Sequence, residues 1–302
     1  MNSDICEIIS GFISKPKFEF HDWVDKDKIF SIHISSNPNA IDFLLENPKF
    51  IDWYIISSNP NAMRIINDNL HKIHWDIFSG NTNTEAIKIL RKNFHKINWY
   101  YLSLNENDEA LELLIQNYNS INWFKLSQNP NKKAIKLLRE NYEKIDWYSL
   151  SMNECDDAID LLIENYEKIN WKMFSRNTNP KAIKYLKYNF HMIDWSFLSC
   201  NDNDEALELL IENYEKIDWK ALSCNKNKKA IELLIKNYHK IDWYCLSYNN
   251  SKYAIDLFKE NPDKIQWDKW IWRNPHLFYE INNEIIIKKT IEIILIKNDK
   301  NN

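Results

Sequence analysis

Few residues of this chain stand at spacings that could do chemistry. His71 and His74, in His71-Lys72-Ile73-His74, put two imidazoles three residues apart, but no Cys lies near enough to complete a zinc spacing. Cys200 and Cys224 lie 24 residues apart and read as packing residues rather than a redox pair. Five Cys, an odd number irregularly spread, argue against a disulfide framework and for a reducing compartment. There is no Gly-x-Gly-x-x-Gly, Walker loop, Gly-x-Ser-x-Gly or His-Glu-x-x-His. The carboxylates recur at regular positions, whereas acid–base catalysis needs one asymmetric pair. No enzyme, cofactor or metal site is expected. What remains is aromatic: Tyr54, Tyr100, Tyr101, Phe124, Tyr148, Phe197, Tyr244 and Tyr248, on a surface with few charges. That composition resembles the core of a protein–protein interface. The rival reading is that these rings pack sideways between neighbouring elements.

The elements that carry them repeat. Trp occurs at 53, 75, 99, 123, 147, 171, 195, 219, 243 and 267; the first step is 22 residues and each later one 24. The unit reads I-[DN]-W-x-x-L-S-x-N-x-N-x-x-A-I-x-L-L-x-x-N-Y-x-K, and Ile217 to Lys240 is a full copy. Such a period marks a repeat architecture. Ile145 to Lys168 shows how one copy folds. Asp146 stands as N-cap ahead of Trp147, and helix A runs about two turns to Asn153. An Asn opens helix B in most units (Asn131, Asn179, Asn203), and Pro180 follows one of them at the first helical position. Ala158, Ile159, Leu161 and Leu162 supply the apolar helical spacing. Asn165 fits a left-handed residue closing helix B, with Tyr166 against Leu161. Helices this short are marginal alone, so each unit must bury its apolar face on the next. Each Trp, if buried, is worth roughly 3–5 kcal/mol. A leucine-rich repeat is the rival fold. Its strand needs an apolar residue two before Leu, where Tyr148, Lys172, Ser196 and Lys220 stand, so the alternation fails. The expected fold is an all-α α-solenoid of tandem helix–turn–helix repeats.

The array begins early. Ser36-Asn37-Pro38-Asn39-Ala40-Ile41 matches Ser58-Asn59-Pro60-Asn61-Ala62-Met63, with Ser31 in the Trp place. Residues 1–28 are expected to cap the first unit, 29–276 to form about eleven units, and 277–302 to supply a capping helix (around 284–297) and tail. At ~8–10 Å per layer the array should be on the order of 100 Å long unless strongly coiled. Charge on helix B alternates between units: Asp108, Glu109 and Glu112, then Lys132, Lys133 and Lys136, then Asp156, Asp157 and Asp160, then Lys181, Lys184 and Lys187. Opposite charges should face each other laterally, each exposed pair contributing ~0–1 kcal/mol.

The tandem Ile-Asp-Trp-x-x-Leu-Ser-x-Asn-x-Asn-x-x-Ala-Ile-x-Leu-Leu units resemble the large paralogous repeat proteins of giant DNA viruses of amoebae. His21-Asp22-Trp23-Val24 at the start and Asn274-Pro275-His276-Leu277-Phe278 at the end are similar to how those proteins begin and finish. Heavy use of Ile, Asn and Lys also resembles the product of an A+T-rich genome. The resemblance implies a viral or host-cell setting and transfers no catalytic residues. The chain departs from the pattern at Ser31 and at Gly80. A net charge of −4 gives no broad footprint for nucleic acid. Asp4 and Glu7 in the first residues do not suit a signal peptide, and Ile281 to Ile296 is broken by Glu284, Lys288, Lys289 and Glu292. A soluble intracellular location, with no membrane or nucleic-acid partner, is therefore expected. The expected role is a non-enzymatic scaffold binding another protein; the alternative is a self-associating structural component of a virion or replication compartment.

Overall fold

A computed structural model describes residues 17–21, 24–25, 29, 31–267 and 270–281. In the unit starting at Ile145, helix A spans Trp147–Leu150 and helix B Asp156–Glu164, and a 3-10 turn, Tyr166–Lys168, leads to the next unit. Helix A is shorter than the two turns expected. Its cap is as expected: the Asp146 carboxylate accepts from the Ser149 amide at 2.8 Å. Helix B opens as expected too, with the side chains of Asn131, Asn179 and Asn203 each accepting from the amide two residues on. Among the described residues no strand occurs at a Trp-x-x-Leu segment, the leucine-rich alternative.

The end of helix B differs from expectation. Asn165 has φ −126° and ψ 54°, and no described non-glycine residue takes positive φ. The Asn165 Nδ2 instead donates to the Leu161 carbonyl at 2.7 Å, so its amide satisfies an orphan carbonyl without a left-handed turn. Tyr166 turns its ring onto the edge of Trp171, 5.2 Å between centroids, rather than onto Leu161.

Leu150, Ala158, Ile159, Leu161, Leu162 and their equivalents form one continuous core through the described units. The periodic Trp residues flank it and are only half-buried. Their faces are covered in part by the Lys that ends the same unit, as Lys240 over Trp219 at 4.5 Å and Lys96 over Trp75 at 4.6 Å.

Two polar ladders join the units. In the Ser-x-Asn of the units from Trp53 to Trp219, the Ser hydroxyl donates to the Trp carbonyl four residues back and accepts the amide of the next unit's cap residue. Ser127 does so at 2.8 Å from Trp123 O and 3.0 Å from Asp146 N. The Asn reaches the other way. Asn153 Nδ2 donates to Ser127 O (3.1 Å) and Asn129 O (2.9 Å), while its Oδ1 accepts from Cys155 N (3.0 Å). Among the described residues no buried side-chain polar atom is left without a partner.

The Asn ladder closes on itself. Asn274 of the last unit donates to Asn249 O and Ser251 O. Asn37 of the first unit donates to Trp272 O at 3.4 Å and Asn274 O at 3.0 Å, the same relation that holds inside the array. Asn39 donates to Pro275 O just as Asn83 donates to Pro60 O. Strand β1 (Lys17–Phe20) pairs antiparallel with β2 (Phe278–Ile281), Phe20 opposite Phe278. Phe20 stacks on Phe278 (centroids 4.1 Å apart) and meets Phe43 and the fully buried Trp272 edge-on. Eleven ladder positions thus form a closed circuit, each unit turning about one-eleventh of a full rotation, which is the strongly coiled case and not an open array about 100 Å long. Most of the two expected caps, including the helix at 284–297, lies outside the described residues; their described parts make the β pair at the seam.

Where neighbouring A helices are in contact, as Trp99–Ser103 with Trp123–Gln128 and the successive helices from Trp171–Ser175 to Trp243–Leu246, they pack over more of their length than the B helices do, which puts the A row on the shorter, inner circumference and B on the outer. On the outside the alternating charges meet laterally as expected. Lys133 bridges to Asp108 (3.0 Å), Lys181 to Asp160 (3.0 Å), Lys229 to Glu208 (3.2 Å) and Arg139 to Glu164 (2.7 Å). All these groups are well exposed, so Lys133→Ala is expected to leave the urea midpoint nearly unchanged.

The seam carries a titratable contact. His33, buried, accepts at Nδ1 from Arg273 Nε at 3.2 Å. Burial, and then the Arg273 charge, push its pKa below the ordinary 6.5. A depressed imidazole pKa favours the neutral form in the closed protein. Its contribution is therefore complete above pH 6.5 and is lost as pH falls below that value. Thermal melts between about pH 7.5 and pH 5.5 should show a larger drop in Tm for the native chain than for His33→Gln.

Candidate functional site

The A helices place the candidate aromatics along the inner wall. Trp sits at the first helical position, so the residues one and five after it lie on the side of the helix away from the core. Tyr54, Tyr100, Phe124, Tyr148, Tyr244 and Tyr248 are exposed, between 39% and 47%, whereas Tyr101 and Phe197 are half-buried.

The structure brings these residues together in groups. Tyr100 and Tyr101 meet edge-on at 5.2 Å. Burial, followed by a hydroxyl contact with Tyr54, raises the Tyr101 pKa above its ordinary value. Lys125 Nζ lies 5.0 Å from the Tyr100 centroid and 5.2 Å from that of Phe124, bridging two units. Lys172 covers Phe197 at 4.8 Å. The hydroxyls of Tyr244 and Tyr248 share a hydrogen bond at 2.7 Å. Sideways packing and exposure therefore coexist at Tyr100, Phe124, Tyr244 and Tyr248, which touch neighbours and still present area to solvent.

A second aromatic row escaped sequence reasoning. Phe94, Tyr118, Tyr142, Tyr166, Phe190, Tyr214 and Tyr238 recur without a break in the 3-10 turns, each 40–47% exposed. Four of the Tyr hydroxyls donate to the Asn that ends helix B of the next unit, as Tyr142 to Asn165 at 2.9 Å. The Asn-Tyr pair itself was the available signal; its reading as a local helix stop hid the link between units.

Compared with known proteins, the chain matches no family model, no curated protein and no solved structure. The site's chemistry has to be read from its own residues. Cys224 Sγ donates to Cys245 O at 3.4 Å and Cys200 Sγ to Ala221 O at 3.6 Å. Burial pushes both thiols up, Cys224 to about 12, so at neutral pH they stay protonated and are poor nucleophiles. No group of three or more His, Cys, Asp or Glu among the described residues could hold a metal ion, and none of the described helices is long and apolar enough to cross a membrane. What the inner wall offers is rigid aromatic area with few charges, which suits contact with another polypeptide.

Proposed function

We propose that the chain is a closed α-solenoid, a non-enzymatic ring that binds a polypeptide partner along its inner wall, in the viral or host-cell setting its repeats suggest. The observation that carries this reading is the set of exposed rings Tyr100, Phe124 and Tyr148 on successive A helices, the first two bridged by Lys125. Preorganised aromatic side chains lose little rotamer freedom on binding and supply large contact area. The alternative, a self-associating structural component, is favoured less by a circuit whose first and last described units bond to each other, since neither is then open to head-to-tail growth.

The test is a photo-crosslinking residue at Tyr148 in amoebal cells, with the Tyr100→Ser, Phe124→Ser, Tyr148→Ser variant assayed in parallel by pull-down. The expected result is a stoichiometric foreign polypeptide, lost in the triple variant, whose helical circular dichroism is unchanged. Unfolding of the triple variant, or cross-links to the chain's own copies alone, would contradict the proposal.

A further inference from the structure

The circuit is not uniform. A hollow of about 300 Å³ crosses four successive units at the loops that follow the A helices. Its wall carries Glu154, Arg176, Asp202 and Lys226, one from each unit, so the sign of charge alternates along it. On helix B, opposite charges of neighbouring units find each other (Lys181 with Asp160, Lys229 with Glu208). None of the four charges in the hollow takes part in an ion pair or a side-chain hydrogen bond. The floor is small and neutral, made by Cys200 and Cys224, whose thiol hydrogens are spent on backbone carbonyls. Elsewhere in the described circuit the equivalent positions five and seven after Trp are nearly charge-free (Gly80, Leu104, Gln128, Pro60, Pro130), with Glu106 the exception. The repeat has been broken at one arc, and the break is polar.

The chemistry of an occupant follows from the order of charges. A phosphate polymer would be repelled at Glu154 and Asp202, and a polyamine at Arg176 and Lys226. A small zwitterion would satisfy one neighbouring pair and leave the other. Four alternating charges, one per unit, with Arg176 five residues after its Trp and the other three seven after theirs, suit a chain that presents an opposite charge about once per ~8–10 Å layer. A polyproline II segment does this: at three residues per turn and ~3.1 Å per residue, every third side chain returns to one face after ~9 Å. We propose that this arc binds a polyproline II segment of the partner whose acidic and basic residues alternate at every third position. This rests on the reading of the inner wall as a polypeptide-binding surface and names the class of partner it takes. Such a segment needs no hydrogen bonds from the wall to hold its conformation, and it loses little chain entropy on binding.

The probe is a fluorescent, end-capped peptide, Lys-Pro-Pro-Glu-Pro-Pro-Lys-Pro-Pro-Glu, titrated by anisotropy into the full chain at low salt. A control peptide of the same composition carries its charges at every second residue. Saturable binding of the first is expected, weaker by roughly tenfold or more for the control and for the Arg176→Ala, Lys226→Ala variant. Arg176→Gln alone, a milder change, should give an intermediate loss. No saturable binding, equal binding of the two peptides, or unchanged affinity in variants with native circular dichroism would overturn the inference. The Tyr100, Phe124 and Tyr148 positions lie outside the hollow, so the cross-linking test separates the two failures. A foreign partner captured at Tyr148 with no binding of this peptide sinks the arc alone; loss of both sinks the wider reading.

Discussion

Asn153→Ala is expected to lower the stability of the chain by about 3–6 kcal/mol, an effect the equivalent Asn129 and Asn201 should share. The side chain makes three hydrogen bonds in a site 2% exposed: two to carbonyls of the preceding unit and one from the amide of Cys155. Alanine removes all three and leaves their partners buried, at ~1–3 kcal/mol for each group left unmade. Asn153→Asp should be at least as damaging at neutral pH. A carboxylate keeps the acceptor for Cys155 but points a negative oxygen at Ser127 O and Asn129 O, where the native amide donates. Urea unfolding of the two variants, beside Lys133→Ala as an exposed control, checks the order. Loss of less than ~1 kcal/mol in both would mean that the ladder is not what joins the units.

The second large effect falls on a Trp outside the period. Trp272 is fully buried, donates its Nε1 to Trp267 O, and packs on Phe20 from the other end of the chain. Trp272→Ala is expected to cost roughly 3–5 kcal/mol, as truncation of a buried aromatic does. Trp147, which repetition singles out, is half-buried, with Tyr142 against its edge at 5.3 Å. Its truncation should cost clearly less, because part of its area is already in water. Comparing Tm and urea midpoints of the two variants distinguishes the accounts. Equal losses would mean that burial at the seam adds nothing special, and a larger loss at Trp147 would reverse the argument.

These two residues also show how far the sequence could be read. The 24-residue Trp period, the Asp146 and Asn179 caps and the spacing of Ala158, Ile159 and Leu162 are local signals, and they predict the helices that occur. Lateral pairing of Lys133 with Asp108 was legible for the same reason, since alternation by unit needs only adjacency. Asn153 was visible as an invariant of the motif but not as a ladder, because its partners lie 24 and 26 residues away. Asn165 could serve either as a left-handed stop or through its amide, and only the backbone angles choose. Closure is the least local property of all. It is a sum of small rotations from unit to unit, and a change of a few degrees in each would leave the ends apart. Phe20 lies outside the units, and Trp272, in the last of them, departs from the motif. At the candidate site, the aromatic positions after each Trp were readable from helix geometry, whereas the turn facing the inside and the unpaired charges of the hollow required the curvature.

Closure can be measured directly. In a cysteine-free background, spin labels at Asn39→Cys and His276→Cys span the seam, and labels at Asn107→Cys and Asn131→Cys span the equivalent interior step, where Asn131 donates to Glu106 O as Asn39 does to Pro275 O. Pulsed electron resonance should return the same short distance for both pairs. A seam distance far longer than the interior one, approaching the ~100 Å of an open array, would contradict the ring.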